Sequence, residues 1–185
     1  MNFTYNNHEQ DYLAFQLYTA SKSDTFYTKM KNSRYFITFC SLIMALYFLV
    51  AKDWGMLAYF GLTTVVFFVF YPTYFRWRQK VHFTRFIHRH YKNLFGKQEI
   101  FEVIGKNISL ENISGKGTIK NAEIEKIMET KHHFFIALKS GASLIIPKNQ
   151  LDDPSIFFKQ LKSLNINTIK EPNWQWGKGV FWQKE

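Results

Sequence analysis

The sequence contains a single cysteine, Cys40, among its 185 residues, together with only 4 prolines and 9 glycines. One cysteine excludes a small secreted domain held together by disulfides. So few prolines and glycines exclude collagen-like and Pro/Gly-rich low-complexity chains. A disordered chain is excluded as well, because hydrophobic residues make up 46% and aromatic residues 19% of the sequence. The length allows about one ordinary domain plus smaller segments.

Motifs of common catalytic and metal sites are also missing. No Gly-x-Ser-x-Gly nucleophile turn occurs, and the SGKGT segment at 114–118 lacks the spacing of a phosphate-binding loop. The paired histidines, His88 with His90 and His132 with His133, have no cysteine or carboxylate close by to complete a tetrahedral metal site. We therefore expect no cofactor, no metal and no small-molecule substrate. An enzyme with an unrecognised site is the minor alternative.

Charge is almost absent from residues 35–75. Of these 41 positions 31 are apolar and 14 are aromatic, and the only charged residues are the neighbours Lys52 and Asp53. The uncharged runs 35–51 and 54–75 would reach about 25 and about 33 Å as helices, against a bilayer hydrocarbon core of about 30 Å. Both runs are apolar on every side, as lipid-exposed helices are. The pattern predicts a transmembrane helical hairpin over 35–75, and a helical hairpin buried in a soluble all-α protein is the alternative.

Acidic residues are absent from residues 76–97, where seven Lys and Arg residues supply most of the net charge of +10. Basic residues beside a membrane helix favour the cytoplasmic side, so the positive-inside rule predicts both termini in the cytoplasm. The cluster also suits anionic lipid headgroups, and nucleic acid is not expected as a partner because the charges adjoin a membrane helix. The residues predicted to contact headgroups are Arg76, Arg78, Lys80, Arg85, Arg89 and Lys92.

Residues 76–97 have helical periodicity too, with Phe83, Ile87, Tyr91 and Leu94 at near-helical spacing. Arg and Lys occupy the other faces of this helix. We predict a basic juxtamembrane helix that lies on the membrane surface or packs on the next domain.

The N-terminal segment, 1–34, carries two short patterns. Phe3 and Tyr5 alternate with polar residues as in a strand, and Asn7 is placed to cap a helix over about 8–21. The helix has apolar residues on more than one narrow face. We therefore predict a short strand and an amphipathic helix that packs against protein or lies at the membrane interface.

Residues 98–166 change to short alternating runs separated by turn residues. A Ser-Gly turn predicts that 134–139 and 143–147 form a hairpin. Asp153 followed by Pro154 is typical of a helix N-cap with proline at the first helical position. The predicted domain consists of five or six antiparallel strands followed by one helix.

This order of elements resembles a pleckstrin-homology-like roll. Its most characteristic part runs from Ile124 to Pro147, with an I-x-x-I-x-E-T strand, an aromatic strand and an LIIPK segment. Together with the preceding hairpin and basic segment, the sequence resembles the YcxB-like family of small bacterial membrane proteins over residues 1–165. The resemblance implies a bacterial inner-membrane protein with a cytoplasmic C-terminal domain, and it supplies no catalytic residues. The expected fold class is membrane α+β, with a two-helix transmembrane hairpin, a cytoplasmic antiparallel β roll and a C-terminal helix.

The function predicted from these features is that of a membrane-anchored, non-enzymatic interaction module that binds a protein or peptide or self-associates. Sheet edges commonly accept an added strand, so the β domain supplies the candidate surface. The candidate partner-binding residues are Phe134, Phe135, Ile136, Leu144, Ile145 and Pro147. The alternative is a domain that senses anionic lipids through the basic juxtamembrane helix.

The C-terminal tail, 167–185, is rich in aromatic residues. Two interpretations stay open, namely that the tail contacts the headgroup region or that it folds back over the domain. The aromatic residues concerned are Trp174, Trp176, Phe181 and Trp182.

Overall fold

The structure, a computed structural model, describes residues 2–112 and 115–177. Within these ranges it contains four α-helices and eight β-strands. In chain order the elements are β1 Asn2–Asn6, α1 Glu9–Ser21, α2 Asp24–Val50, α3 Trp54–His90, β2 Gln98–Ile104, β3 Asn107–Asn112, β4 Gly115–Lys120, β5 Ile124–Thr130, β6 His133–Leu138, β7 Ser143–Pro147, α4 Pro154–Ser163 and β8 Thr168–Glu171. The fold class is therefore α+β, with two long apolar helices and two sheets that are mostly antiparallel.

The chain divides into two compact units. Of the described residues, the β unit comprises 2–16, 84–112 and 115–175, and the hairpin unit comprises 17–83 and 176–177. The tail described by the sequence as one segment is thus shared between them, and Phe181 and Trp182 lie outside the described residues.

Sheet A of the β unit has the strand order β1-β2-β3-β4 and is antiparallel throughout. The strand predicted at Phe3 and Tyr5 is confirmed as β1, and both side chains are buried. However, the boundary drawn at residue 34 is wrong for this strand, because β1 pairs with β2 and so belongs to the β domain. Such a pairing between distant segments leaves no local pattern in the sequence.

Sheet B has the strand order β7-β6-β5-β8. The predicted hairpin is confirmed as β6 and β7, with Gly141 at a φ of 86° in the turn. The sequence missed β8, which lies parallel to β5 and places Thr168 opposite Ile127. The tail predicted from residue 167 therefore begins with a strand. With only four residues, β8 is too short to give an alternating pattern of its own.

Helix α4 begins as the sequence predicts. Asp153 Oδ1 accepts hydrogen bonds from the backbone N–H groups of Ser155, at 2.8 Å, and Ile156, at 3.2 Å. These two bonds satisfy orphan donors of the first turn. The buried side of α4 presents Phe157 and Leu161 to the core that the two sheets share.

Helix α1 starts differently from the prediction. Its N-cap is His8, whose backbone N–H donates to Asp11 Oδ2 at 2.8 Å. Asn7 does not cap the helix, because its side-chain amide points to Glu99 at 3.5 Å. The carboxylate at the third helical position thus supplies the capping hydrogen bond.

The two long helices extend beyond the predicted apolar runs. Helix α2 begins at Asp24, and α3 passes through Pro72 and continues to His90. The separate basic helix predicted over 76–97 is therefore wrong, since most of that segment continues α3. Residues 76–90 contain no proline or glycine, and so nothing in them ends the helix.

Candidate functional site

The hairpin unit exposes a large apolar surface along α2 and α3. In the most apolar 18-residue window of each helix, only 17% of α2 and 6% of α3 is buried. A helix in the core of a soluble protein is mostly buried, and in the described residues these two helices are more exposed than that. Contiguous apolar surfaces larger than a few hundred Å² mark contact with a partner or a membrane. The most exposed of these side chains include Phe36, Phe39, Tyr47, Val50, Trp54, Tyr59, Leu62 and Phe70.

The only charged residues of 35–75 build the turn between the helices. Lys52 adopts a left-handed φ of 57°, and its N–H donates to the Leu49 carbonyl while that of Asp53 donates to the Phe48 carbonyl. This is the Schellman pattern that ends a helix. Asp53 Oδ1 then accepts the Met56 N–H at 3.1 Å, which caps α3. Both charges thus lie at the end of the hairpin and serve its turn.

A polar seam joins α2 to α3. Ser41 Oγ donates to the Phe60 carbonyl at 3.2 Å and lies 3.1 Å from Thr63 Oγ1, and Thr64 Oγ1 donates to Ser41 Oγ at 2.9 Å. Small hydroxyl residues of this kind let membrane helices approach closely and bond to each other. These three residues therefore contribute to the packing of α2 on α3. Cys40, in contrast, is exposed.

Arg34 immediately precedes the first apolar run and packs inside the hairpin unit. It is only 5% exposed, and its guanidinium carbon lies 4.0 Å from the centre of the Phe68 ring on α3. Such a cation–π contact replaces part of the hydration that the guanidinium loses. Near it, a small core forms from Met30, Tyr71 and Phe75.

The predicted headgroup residues are divided between the two units. Arg76, Arg78 and Lys80 belong to the hairpin unit, while the remaining three belong to the β unit. Arg76 is half-buried and its Nη1 donates to the Gly177 carbonyl at 2.9 Å. The other five side chains, namely Arg78, Lys80, Arg85, Arg89 and Lys92, are exposed.

The described start of the tail in the hairpin unit packs against protein. Trp176 lies edge-to-face against Phe26 of α2, with ring centroids 5.7 Å apart. Together with the Arg76–Gly177 hydrogen bond, this contact favours the folded-back interpretation for Trp176 and Gly177.

The predicted apolar side of the basic segment packs on α1 inside the β unit. Ile87 is fully buried, and Tyr91 stacks on Tyr12 with ring centroids 5.0 Å apart. His88 Nδ1 lies 3.8 Å from a carboxylate oxygen of Glu9. These contacts are with α1, so Tyr91 and His88 lie against protein.

The six predicted partner-binding residues are mostly core residues. Strand β6 lies between β5 and β7, so it offers no free edge. Its central side chains contribute to packing rather than to a surface, which removes three of the six residues from the docking prediction. Strand β7 does lie at the end of sheet B, but two of its three predicted residues are buried. The buried residues are Phe134, Phe135, Ile136, Ile145 and Pro147, whereas Leu144 is half-buried.

The structure also pairs two residues that the sequence did not connect. His133 Nε2 lies 2.8 Å from Asp11 Oδ1, and both side chains are 14% exposed. Burial alone would raise the pKa of Asp11, but the hydrogen bonds from His133 and the His8 backbone outweigh it, so the pKa is lowered. The His133 ring also stacks on Phe135. This pair ties α1 to sheet B. Because 122 residues separate the partners, no spacing rule could find them.

No group of three or more His, Cys, Asp and Glu side chains forms a metal-binding cluster within residues 2–112 and 115–177. His132 and His133 are neighbours in the sequence, but His132 lies in the turn after β5 and His133 is the first residue of β6.

Comparison with known proteins identifies one region of the chain. The model of the family described as YcxB-like protein matches residues 105–161, which run from the turn after β2 into α4. No curated protein and no solved structure matches the chain. Over residues 105–161 the chain is similar to the YcxB-like family, which confirms the resemblance predicted from the segment Ile124 to Pro147.

Proposed function

We propose that this chain is a membrane-anchored, non-enzymatic interaction module whose β unit binds a protein or peptide. The observation that carries the proposal is the exposed apolar surface of α2 and α3. Within residues 35–75, Ser41, Thr63 and Thr64 form the seam between the helices, and the two charged residues, Lys52 and Asp53, lie in the turn. A hairpin that is polar inside and apolar outside suits lipid as its surroundings.

The proposed location is the bacterial inner membrane, which both helices cross, with both termini in the cytoplasm. Support comes from the charges that flank the apolar runs. Arg78 and Lys80 follow the second run as exposed cations of the hairpin unit, and Lys29 and Lys31 are exposed before the first. Excess cations at both ends of the hairpin favour the cytoplasmic side for those ends.

The β unit is proposed to be a pleckstrin-homology-like roll. Two four-stranded sheets share a core, and α4 inserts Phe157 into it. The ring of Phe157 contacts both sheets, with centroids 5.1 Å from Phe101 of sheet A and 5.3 Å from Phe134 of sheet B. A helix that closes a bent sheet in this way leaves strand edges as the surfaces for a partner.

Cysteine labelling tests the anchor and its orientation. In a Cys40→Ser background, Ala51→Cys places a thiol at the exposed end of α2, and Ser140→Cys places one in the exposed β6–β7 turn. A membrane-impermeant maleimide added to intact spheroplasts should label only Ala51→Cys. Labelling of Ser140→Cys should need opened membranes. The reverse pattern would refute the orientation, and release of the chain by alkaline carbonate would refute the anchor itself.

The second candidate function, anionic-lipid sensing, is favoured by the exposed cations of α3. Each basic side chain near an anionic surface contributes about 1 kcal/mol. The test is the amount of anionic lipid that copurifies with the chain in nanodiscs. If the hairpin unit binds anionic headgroups, replacement of Arg78 and Lys80 by Gln should reduce the amount of anionic lipid that copurifies. Matched replacement of Lys131 and Lys159, exposed in the β unit, should leave it unchanged.

A further inference from the structure

On the inner face of sheet A, strand β4 has glycine at two of its three inward positions, Gly115 and Gly117. One row across the sheet runs from Phe3 through Phe101 and Leu110 to Gly117, as the strand register shows. Phe3 and Phe101 are buried and Leu110 is half-buried, but the row ends in a residue without a side chain. A Cβ added to Gly117 would meet nothing within 4 Å. The apolar row is therefore open at the edge of the sheet.

The same gap extends along β4. Gly115 also faces inward, and a Cβ added there would likewise meet nothing within 4 Å. Leu110 and Ile119 form the apolar walls of a shallow cavity of about 330 Å³ that also borders residues 115–118. A side chain from outside the chain could enter this cavity and contact both walls.

Strand β4 is also an end strand of sheet A. Within the described residues its ladder partner is β3 alone. The outward backbone N–H and C=O groups of such a strand can pair with an added strand. The opposite end of this sheet is less open, since β1 meets the Gln150 side chain. Gln150 Oε1 accepts the Asn6 N–H at 2.6 Å, and Gln150 Nε2 donates to the Asn6 carbonyl at 2.7 Å.

The outer face of β4 determines which partner fits. Lys116, Thr118 and Lys120 alternate with the inward residues, and all three are exposed. Lys116 already lies 3.7 Å from Glu111 on β3, so carboxylates are compatible with this face. A second copy of β4 would bring lysines against lysines, which directly opposed strands disfavour.

We propose that β4 accepts an extended segment of a partner protein in which apolar and acidic residues alternate. The segment adds a fifth strand to sheet A, its apolar side chains enter the cavity beside Gly117, and its carboxylates face Lys116 and Lys120. This inference rests on the proposed function, because it names the surface and the partner class of the interaction module.

The test measures the binding of labelled peptides to the full chain in detergent micelles by fluorescence anisotropy. The probe is a short peptide in which glutamate and valine alternate, and the control peptide carries lysine in place of glutamate. We expect the glutamate peptide to bind and the lysine peptide not to bind. Absence of binding by the glutamate peptide, or equal binding of both peptides, would overturn the proposal. The lysines of β4 would then serve to prevent other strands from pairing with this edge.

Two sets of variants locate the site. The double variant Lys116→Glu, Lys120→Glu should lower the affinity for the glutamate peptide at least about tenfold, because both charge contacts become repulsive. Lys131→Glu with Lys159→Glu makes the same change in net charge at exposed positions away from β4 and should leave binding unchanged. Equal weakening in both sets would overturn the proposal.

Gly117→Val provides an independent check, because it fills the cavity without changing charge. We expect loss of peptide binding with an unchanged circular dichroism spectrum, and retained binding would contradict the cavity contact. If this variant does not fold, the double variant at Lys116 and Lys120 still tests the proposal. Maleimide labelling of Ala51→Cys and Ser140→Cys does not involve β4. Correct topology without peptide binding would therefore defeat this inference alone, whereas failed topology would defeat the proposed function.

Discussion

Replacement of Phe157 by alanine should strongly destabilise the β unit. The side chain is fully buried, at 0% exposure, and its ring centroid lies 4.9, 5.1 and 5.3 Å from those of Phe3, Phe101 and Phe134. Truncation of a buried phenylalanine to alanine costs about 3–5 kcal/mol through lost burial and the remaining cavity. Three aromatic pairs are lost as well, so we expect about 4–5 kcal/mol, near the upper end of that range.

Pulse proteolysis in urea measures this change on the full chain in detergent micelles. If the β unit unfolds with a slope of about 2 kcal/mol per molar urea, a loss of 4 kcal/mol lowers its midpoint by about 2 M. Ile156→Ala is the matched control, because it removes an apolar side chain that is 38% exposed on the same helix. The control should lower the free energy of unfolding by less than about 0.5 kcal/mol, which at this slope is a midpoint shift below about 0.25 M. Equal shifts for the two variants would refute the position of α4 between the sheets.

Three further predictions concern single contacts. Because the pKa of Asp11 is lowered in the folded state, its ionised form stabilises the β unit above the ordinary aspartate pKa. This stabilisation is lost as the pH falls through the lowered pKa. In the Asp11→Asn variant, the urea midpoint should therefore decline less steeply below about pH 5 than in the unchanged chain. Ser41→Ala should cost the hairpin about 1 kcal/mol in steric-trapping measurements, whereas Cys40→Ala on the exposed side should cost less. Lys52→Gly should keep or raise the thermal stability of the hairpin in micelles, and Lys52→Val should lower it, because a β-branched residue tolerates the left-handed conformation poorly.

Features with a local cause could be predicted from the sequence. The apolar runs required long helices, the Asp153–Pro154 pair supplied the cap and first residue of α4, and the Ser-Gly turn joined β6 to β7. Each of these signals lies within a few residues of the element that it determines. The YcxB-like segment was recognisable for the same reason, since its pattern from Ile124 to Pro147 is continuous in the chain.

Features that depend on distant contacts could not be predicted in this way. Pairing of β1 with β2 and of β8 with β5 brings segments together that are separated by one or more other elements. The contact between Asp11 and His133 has the same origin. Most of the six residues chosen as a docking surface are buried, for a related reason. Aromatic and β-branched residues such as Phe135 and Ile136 indicate a strand, but they indicate a central strand as well as an edge. The open edge at β4 instead follows from glycines, which a search for apolar residues overlooks.

The basic residues of the chain serve different purposes, and this changes how its topology should be argued. A count of Lys and Arg treats Arg34 and Arg76 like any other flanking cation. In the hairpin unit, however, Arg34 is buried against Phe68, and Arg76 holds the Gly177 carbonyl. Charges in such contacts are less available to headgroups than exposed ones. The orientation should therefore depend chiefly on the exposed cations, so replacing Arg78 and Lys80 should weaken it more than replacing Arg34.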